Sequence, residues 1–170
     1  MASTSILIFN MLKIFQTNPY ATFPKFATQQ SACFDVSACL KGNSIQIFGK
    51  ESVRWSNEEI YLYSGDRVAV PTGLILDIPE GYSVRLHPRS GLALKNGITM
   101  ANCEGIIDSD YVDELKVIIV NNGGEPFVIK HGDRICQGEL IKSLDYTLEQ
   151  CYTKPVQKTD RNGGFGSTGV

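Results

Sequence analysis

Hydrophobic and polar positions alternate along this chain in short runs, and Gly, Pro, Asn and Asp separate the runs. A period of two predicts half-buried strands, because successive side chains leave a strand on opposite faces. Arg67-Val-Ala-Val70 alternates and is closed by Pro71-Thr72-Gly73. Leu74 to Ile78 is apolar except for Asp77 and is closed by Pro79-Glu80-Gly81, after which Tyr82 to His87 alternates again. Leu115 to Val120 is rich in β-branched residues, as a buried strand is. Asn121 to Glu125 is a Gly-rich hairpin loop, and Pro126 to Lys130 leads onward. Gly-Asp-Arg occurs at Gly65-Asp66-Arg67 and at Gly132-Asp133-Arg134, before a strand each time, and reads as a polar turn feeding it. A first strand is expected near Met11 and a long hairpin carrying Trp55 over 41–64. One helix of two turns at most is expected from Ser90 to Lys95. The fold class is all-β.

From Gln150 the composition turns polar and Gly-rich, ending in Arg161-Asn-Gly-Gly-Phe-Gly-Ser-Thr-Gly-Val170. Such a tail cannot make a core of its own, so it is either an arm that orders on binding or trailing sequence. The expected organisation is an extension over 1–10, a β domain over 11–150 and an arm over 151–170. The apolar stretch Ser5 to Phe15, interrupted by Asn10 and Lys13, is too short for a bilayer and lacks the basic start and cleavage site of a signal peptide. No membrane partner is expected.

At 170 residues the chain suits one domain that buries a core without staples. A net charge of −2 gives no global basic field, so no nucleic-acid partner is expected, and a polyanionic ligand would need a local cluster of cations or a metal. The five cysteines are odd in number and contain no CxxC pair, which argues against a disulfide framework and a structural zinc site. Reduced thiols fit a cytoplasmic location. His87 and His131 are far apart in sequence, without the spacing of a histidine metal site or triad.

Several motifs carry possible chemistry. Gly164-Phe-Gly-Ser-Thr-Gly169 matches G-x-G-x-x-G, but the dinucleotide motif must open a helix, and the sequence given stops one residue later. What remains is a run of backbone N–H donors and two hydroxyls suited to phosphate oxygens, with Arg161 as a planar fork and Phe165 able to stack on a base or sugar. In Pro88-Arg89-Ser90-Gly91-Leu92-Ala93, Ser90 is placed to cap a short helix, and an N-terminus with Arg and Ser suits an anion. The acidic stretch Gly105 to Glu114 is not an EF-hand: Val112 stands where an oxygen ligand is required. Asp108 follows two apolar residues, at a strand end, where it could take a proton from water; a capped turn with solvated carboxylates is the plainer reading. Asp35 and Gln137 each sit in an otherwise apolar strand, and a buried amide needs partners.

In order along the chain, Ser31–Ser37, Pro88–Ala93, Asn102–Leu115, Gly132–Gln137 and Arg161–Gly169 resemble the five signature motifs of the trimeric dUTPase family. The resemblance covers the chain from about Met11 onward. It implies a distorted jelly-roll β-barrel, a homotrimer with active sites between subunits, and a C-terminal arm closing over another subunit's site. It implies hydrolysis of dUTP to dUMP and pyrophosphate, which supplies dUMP and keeps uracil out of DNA, with Mg²⁺ as cofactor. By the resemblance Asn102 reads the uracil edge, helped by backbone groups at Gly105, Ile106 and Ile107; an amide matches the donor and acceptor pattern of uracil and not of cytosine. Tyr111 packs against the deoxyribose, and Asp108 orients the attacking water. Arg89, Ser90, Gly91 and Gln137 meet the phosphates, Lys116 touches nucleotide, and Arg161, Phe165, Gly166, Ser167 and Thr168 belong to the arm. Asp35 holds Mg²⁺ through its water shell.

The chain departs from the family pattern at four places. Cys33 stands where the first motif usually has Gly, and His87 precedes the second motif where a basic or small residue is common. The arm motif has one residue fewer between Arg161 and its Gly-Gly-Phe, and 41–64 is longer than the compact family hairpin. A dCTP deaminase of the same fold, a nucleotide-sensing or protein-binding module and a structural jelly-roll subunit are the competing readings. Asn102 and the stretch Asp108–Tyr111 favour the dUTPase.

Overall fold

A computed structural model of the chain describes residues 11–49, 53–56 and 59–160. Among these lie fourteen strands and one helix. In chain order they are β1 (Lys13–Gln16), β2 (Lys25–Phe26), β3 (Phe34–Ser37), β4 (Ile45–Phe48), β5 (Val53–Ser56), β6 (Ile60–Leu62), β7 (Arg67–Pro71), β8 (Leu74–Asp77) and β9 (Tyr82–Pro88), then α1 (Ser90–Asn96), β10 (Ile98–Met100), β11 (Gly105–Ile107), β12 (Lys116–Asn121), β13 (Phe127–Ile129) and β14 (Arg134–Lys142).

Two five-stranded antiparallel sheets, ordered β10-β12-β7-β4-β5 and β11-β9-β14-β3-β2, contribute to one core, and the pairs β1-β8 and β13-β6 complete a distorted jelly-roll β-barrel. The period-two pattern explains the facing. In β7, Val68 and Val70 are buried while Arg67 and Ala69 are exposed; in β12, Val117 and Ile119 are buried opposite them, in the register Val117 to Val70 and Ile119 to Val68. Val84 and Leu86 of β9 and Val36 of β3 bring the second sheet into the same core. A one-residue slip would turn every one of these side chains outward, so the alternation fixes the register.

The expected punctuation is present. Gly65 and Gly132 both sit at φ 85°. In each Gly-Asp-Arg turn the aspartate carboxylate accepts a backbone N–H three residues back, from Tyr63 to Asp66 and from Lys130 to Asp133, both at 2.8 Å. The strand β1 and the β4–β5 hairpin lie where the pattern places them.

Turn chemistry also ties the β7–β8 turn to the start of β12. The buried Thr72 hydroxyl donates to the Leu115 carbonyl at 2.6 Å, and the Glu114 carboxylate accepts from the Gly73 amide at 2.8 Å. Replacing Thr72 by Val keeps the shape and strands that carbonyl; the expected cost is about 1.5 kcal/mol, read as a lower urea midpoint at constant slope. A shift indistinguishable from zero would mean that water satisfies the carbonyl.

The helix α1 corrects one expectation. Ser90 is not its cap: the N-cap position is Arg89, with extended backbone (φ −89°, ψ 121°), and no side chain caps the first turn. The reason is tertiary: Arg89 continues the strand direction of β9, and its guanidinium is drawn sideways to Arg134 and Asp35. At the other end Gly97 closes the helix at φ 69°, and a Cβ there would lie 2.4 Å from the Gly123 nitrogen. The strands end at Lys142, and 144–160 carries no regular structure and is exposed.

Candidate functional site

The predicted residues fall into two groups. The first lies on one face of the second sheet. Gln137 on β14 is in register with Asp35 on β3 and with His87 on β9, so the three side chains share a face. Asp35 is half-buried and held by two guanidinium groups: Arg134 Nη1 lies 2.9 Å from Oδ2 and Arg89 Nε 3.5 Å from Oδ1. Arg89 also donates from Nη1 to the Arg134 carbonyl at 2.9 Å, which locks the two arginines to each other. The Gln137 amide donates to the Pro88 carbonyl at 3.4 Å, just ahead of Arg89. Ser90 and Gly91 are exposed on the first turn of α1. Arg89 and Arg134 stand at a cavity of about 320 Å³ whose wall includes Leu92, Phe127 and Ile129.

Sequence reasoning gave Arg134 no role beyond the turn. The signal was the second Gly-Asp-Arg triplet, which starts β14 beside β3; the irregular register between Arg134 and Cys136 accompanies the arginine's reach to Asp35. Behind this group Cys136 is buried, and its thiol is pushed up to about 12, by burial first and then by the Asp35 carboxylate, with Arg89 opposing. That thiol is inert, and thiol reagents are expected to reach Cys103 and Cys151, which are exposed, before it.

The second group gathers where β11 and β12 approach. Asn102, Gly105, Ile106, Ile107, Asp108, Tyr111 and Lys116 line one concavity of about 250 Å³, floored by Leu86 and Met100. Gly105 is buried against Leu86, where a Cβ would lie 3.1 Å from the leucine side chain, so backbone is what β11 presents to this cup. Asn102 is held out by a tight turn in which Cys103 takes φ 60° and the Glu104 amide meets the Asn102 carbonyl at 2.6 Å. Asp108 follows the last residue of β11, as its place at a strand end requires, with its side chain exposed. The Tyr111 hydroxyl donates to the Glu114 carbonyl at 3.0 Å, which turns the ring along the rim.

The two concavities share no lining residue. A single chain therefore offers a cup whose lining carries one acid, Asp108, and one lysine, Lys116, and, separately, a cluster of two arginines and a carboxylate. Arg161, Phe165, Gly166, Ser167 and Thr168 lie outside the described residues. Among the described residues no helix is long and apolar enough to cross a membrane.

Known proteins match this chain in sequence and in shape. The profile of the family described as dUTPase matches residues 55–169. A deoxyuridine 5'-triphosphate nucleotidohydrolase of Finegoldia magna is 42% identical over 130 residues, covering 76% of this chain and 90% of that protein. One from Brucella melitensis is 48% identical over 115 residues, covering 67% of this chain and 72% of its own length. Among solved structures, a mutant dUTPase of Staphylococcus bacteriophage 80alpha with dUpNHpp has a TM-score of 0.74 at 21% identity, covering 95% of this chain and 100% of that one. A mutant dUTPase from phage phi11 of S. aureus, described with a coordinated structural Mg(II) ion, has a TM-score of 0.67 at 20% identity, covering 85% and 98%.

Proposed function

Because the chain belongs to the dUTPase family, we infer that it hydrolyses dUTP to dUMP and pyrophosphate, by in-line attack of a water on the α-phosphorus. The observation that carries the site assignment is the cup: seven residues chosen for nucleoside recognition and water activation line one concavity, with Asp108 at its edge. In this reading Asn102 and the β11 backbone pair with the uracil edge. The apolar floor of Leu86 and Met100 supports the base, and Tyr111 fills the space a 2′-hydroxyl would need. Asp108 aligns the water and takes its proton. The two arginines and Gln137 meet the phosphates, where Arg89 offsets charge moving onto the leaving pyrophosphate.

Asp35 suits Mg²⁺ through water. It is one carboxylate, outside the one cluster of three ligating side chains found among the described residues. A lone carboxylate cannot cage the ion, and Mg²⁺ keeps several waters and sits mainly on phosphates. When bound, it would supply positive charge to offset that of the triphosphate.

Separate concavities in one chain are what shared sites require: a homotrimer would bring the cup of one subunit to the arginine cluster of the next. The exposed apolar side chains Tyr152 and Val156 support the arm reading, since a strap over a neighbouring subunit would cover them. Residues 1–10 stay an extension, 11–150 the β domain and 151–170 the arm, working in the cytoplasm with its thiols reduced.

The test is to incubate the protein with Mg²⁺ and dUTP, dTTP, dCTP or UTP, following pyrophosphate and ammonia, beside a chain ending at Thr159. The expected result is pyrophosphate from dUTP alone, from a trimer in solution, with kcat down by about 100-fold in the shortened chain. Ammonia from dCTP would move the protein to the deaminase branch. Silence from a folded trimer would leave a nucleotide-binding module.

A further inference from the structure

The two positions at which the first and second motifs leave the family pattern, Cys33 and His87, meet in the fold. With Glu139 they form a group whose Sγ, ring nitrogen and carboxylate oxygen all lie within 4.8 Å of one another, each residue half-buried. Strand register places them there. Gln137 is paired with both Asp35 and His87; Glu139 is two residues along β14 from Gln137, and Cys33 is two residues before Asp35. Asp35, Gln137, His87 and Glu139 leave the same face of the sheet. Two neighbouring strands thus supply His87 and Glu139, and Cys33 stands in the bend one residue before β3. Spacing along the chain gives no sign of this, because the three residues are far apart in sequence.

We propose that Cys33, His87 and Glu139 bind a Zn²⁺ ion, at a site separate from the Mg²⁺ role of Asp35. The donor set decides the metal. A thiolate, an imidazole and a carboxylate suit zinc, whereas Mg²⁺ takes oxygen ligands. The thiolate and the carboxylate together balance the charge of the ion. His87 Nε2 already lies 2.9 Å from Glu139 Oε1, so an ion between them replaces that hydrogen bond. The other ring nitrogen, Nδ1, faces Glu104 Oε1 at 3.8 Å, and a carboxylate behind a ligating imidazole fixes its tautomer and raises its basicity. Arg85 Nη1 steadies Glu104 at 3.5 Å. Three protein ligands leave the fourth tetrahedral position to water. Asp35 remains with Arg89 and Arg134. The inference does not rest on the reaction proposed above.

The test uses metal-free full-length protein with Cys103→Ser and Cys151→Ser, which removes the two exposed thiols. Co²⁺ is titrated as a coloured stand-in and then displaced by Zn²⁺. One equivalent per chain is expected to give a thiolate-to-cobalt charge-transfer band and the strong visible bands of a tetrahedral ion, and Zn²⁺ is expected to raise Tm reversibly with chelator. Cys33→Gly, which restores the residue common in the family, abolishes the charge-transfer band and leaves dUTP hydrolysis with Mg²⁺ unchanged. Glu104→Gln weakens zinc binding by about 10-fold or more. A folded parent protein without the band overturns the site, as does a band that survives both Cys33→Gly and His87→Ala. Loss of hydrolysis in Cys33→Gly would merge the cluster with the Asp35 site and overturn their separation.

Discussion

Asp108→Asn is expected to lower kcat for dUTP by about 10³-fold while changing KM little. A positioned base contributes about 10²–10⁴-fold, and an amide can hold a water but cannot take its proton. The split between kcat and KM follows from where the residue stands. Asp108 sits at the lip of the cup, after β11, while the base and sugar are assigned to Asn102, the β11 backbone and Tyr111. An interaction made only in the transition state moves kcat and kcat/KM together. The fold should be indifferent, because the side chain is exposed, so an unchanged Tm is part of the prediction. More than a tenth of the parent kcat in a pure preparation would remove Asp108 from the role of base. Shared sites add a second readout: Asp108→Asn and Arg89→Ala chains refolded together should regain part of the activity that each lacks alone. If they regain none, cup and arginines act within one subunit.

The second large effect concerns stability. Asn121→Ala is expected to cost at least about 3 kcal/mol, a large share of what a domain this size has to lose. Asn121 is fully buried at the end of β12. Its amide nitrogen donates to the Leu62 carbonyl at 2.8 Å and to the Glu125 carbonyl at 2.9 Å, and its oxygen accepts from the Gly123 amide at 2.8 Å. Alanine leaves three buried or half-buried backbone groups to find other partners, at about 1–3 kcal/mol each where none exists. The 121–125 loop also meets the end of α1, through the Asn122 amide on the Gly97 carbonyl and through Gly123 against Asn96. Loosening the loop therefore frees the helix that carries Ser90 and Gly91. Equilibrium urea unfolding checks it; a loss under 1 kcal/mol would show that packing, not this side chain, holds the loop.

The strands were legible because the chain writes its facing with a period of two and ends most runs with a turn residue. Val68 and Val70 are an example in which the pattern predicts the buried face, while their pairing with Val117 and Ile119 emerges only in the fold. The twin Gly-Asp-Arg turns were legible for a related reason: glycine supplies the left-handed conformation and aspartate the acceptor three residues on. The Ser90 cap was misread because a side chain's own preference for an N-cap is weaker than the neighbouring arginine's ion pairing, which only tertiary contact reveals. Arg134 and the Cys33–His87–Glu139 group were invisible for one reason: each depends on which strands become neighbours, and β3, β9 and β14 lie far apart in sequence. The residues proposed for the nucleoside could be picked out together because one stretch of the sequence, from Asn102 to Lys116, carries them, whereas Leu86 and Met100 join the cup only through the fold.

The place of β3 between β2 and β14 has a consequence for how the protein is made. Asp35 emerges from the ribosome early, but the strand it must pair with, carrying Arg134 and Gln137, is the last of the fourteen described. Until Lys142 has been synthesised and has cleared the exit tunnel, β3 and β9 each keep an open edge where β14 will insert. Pairings of such sequence separation are slow to close, and open edges invite association with other chains. Nascent copies on one messenger are therefore vulnerable late, and a translational pause before β14 is released would lengthen that exposure.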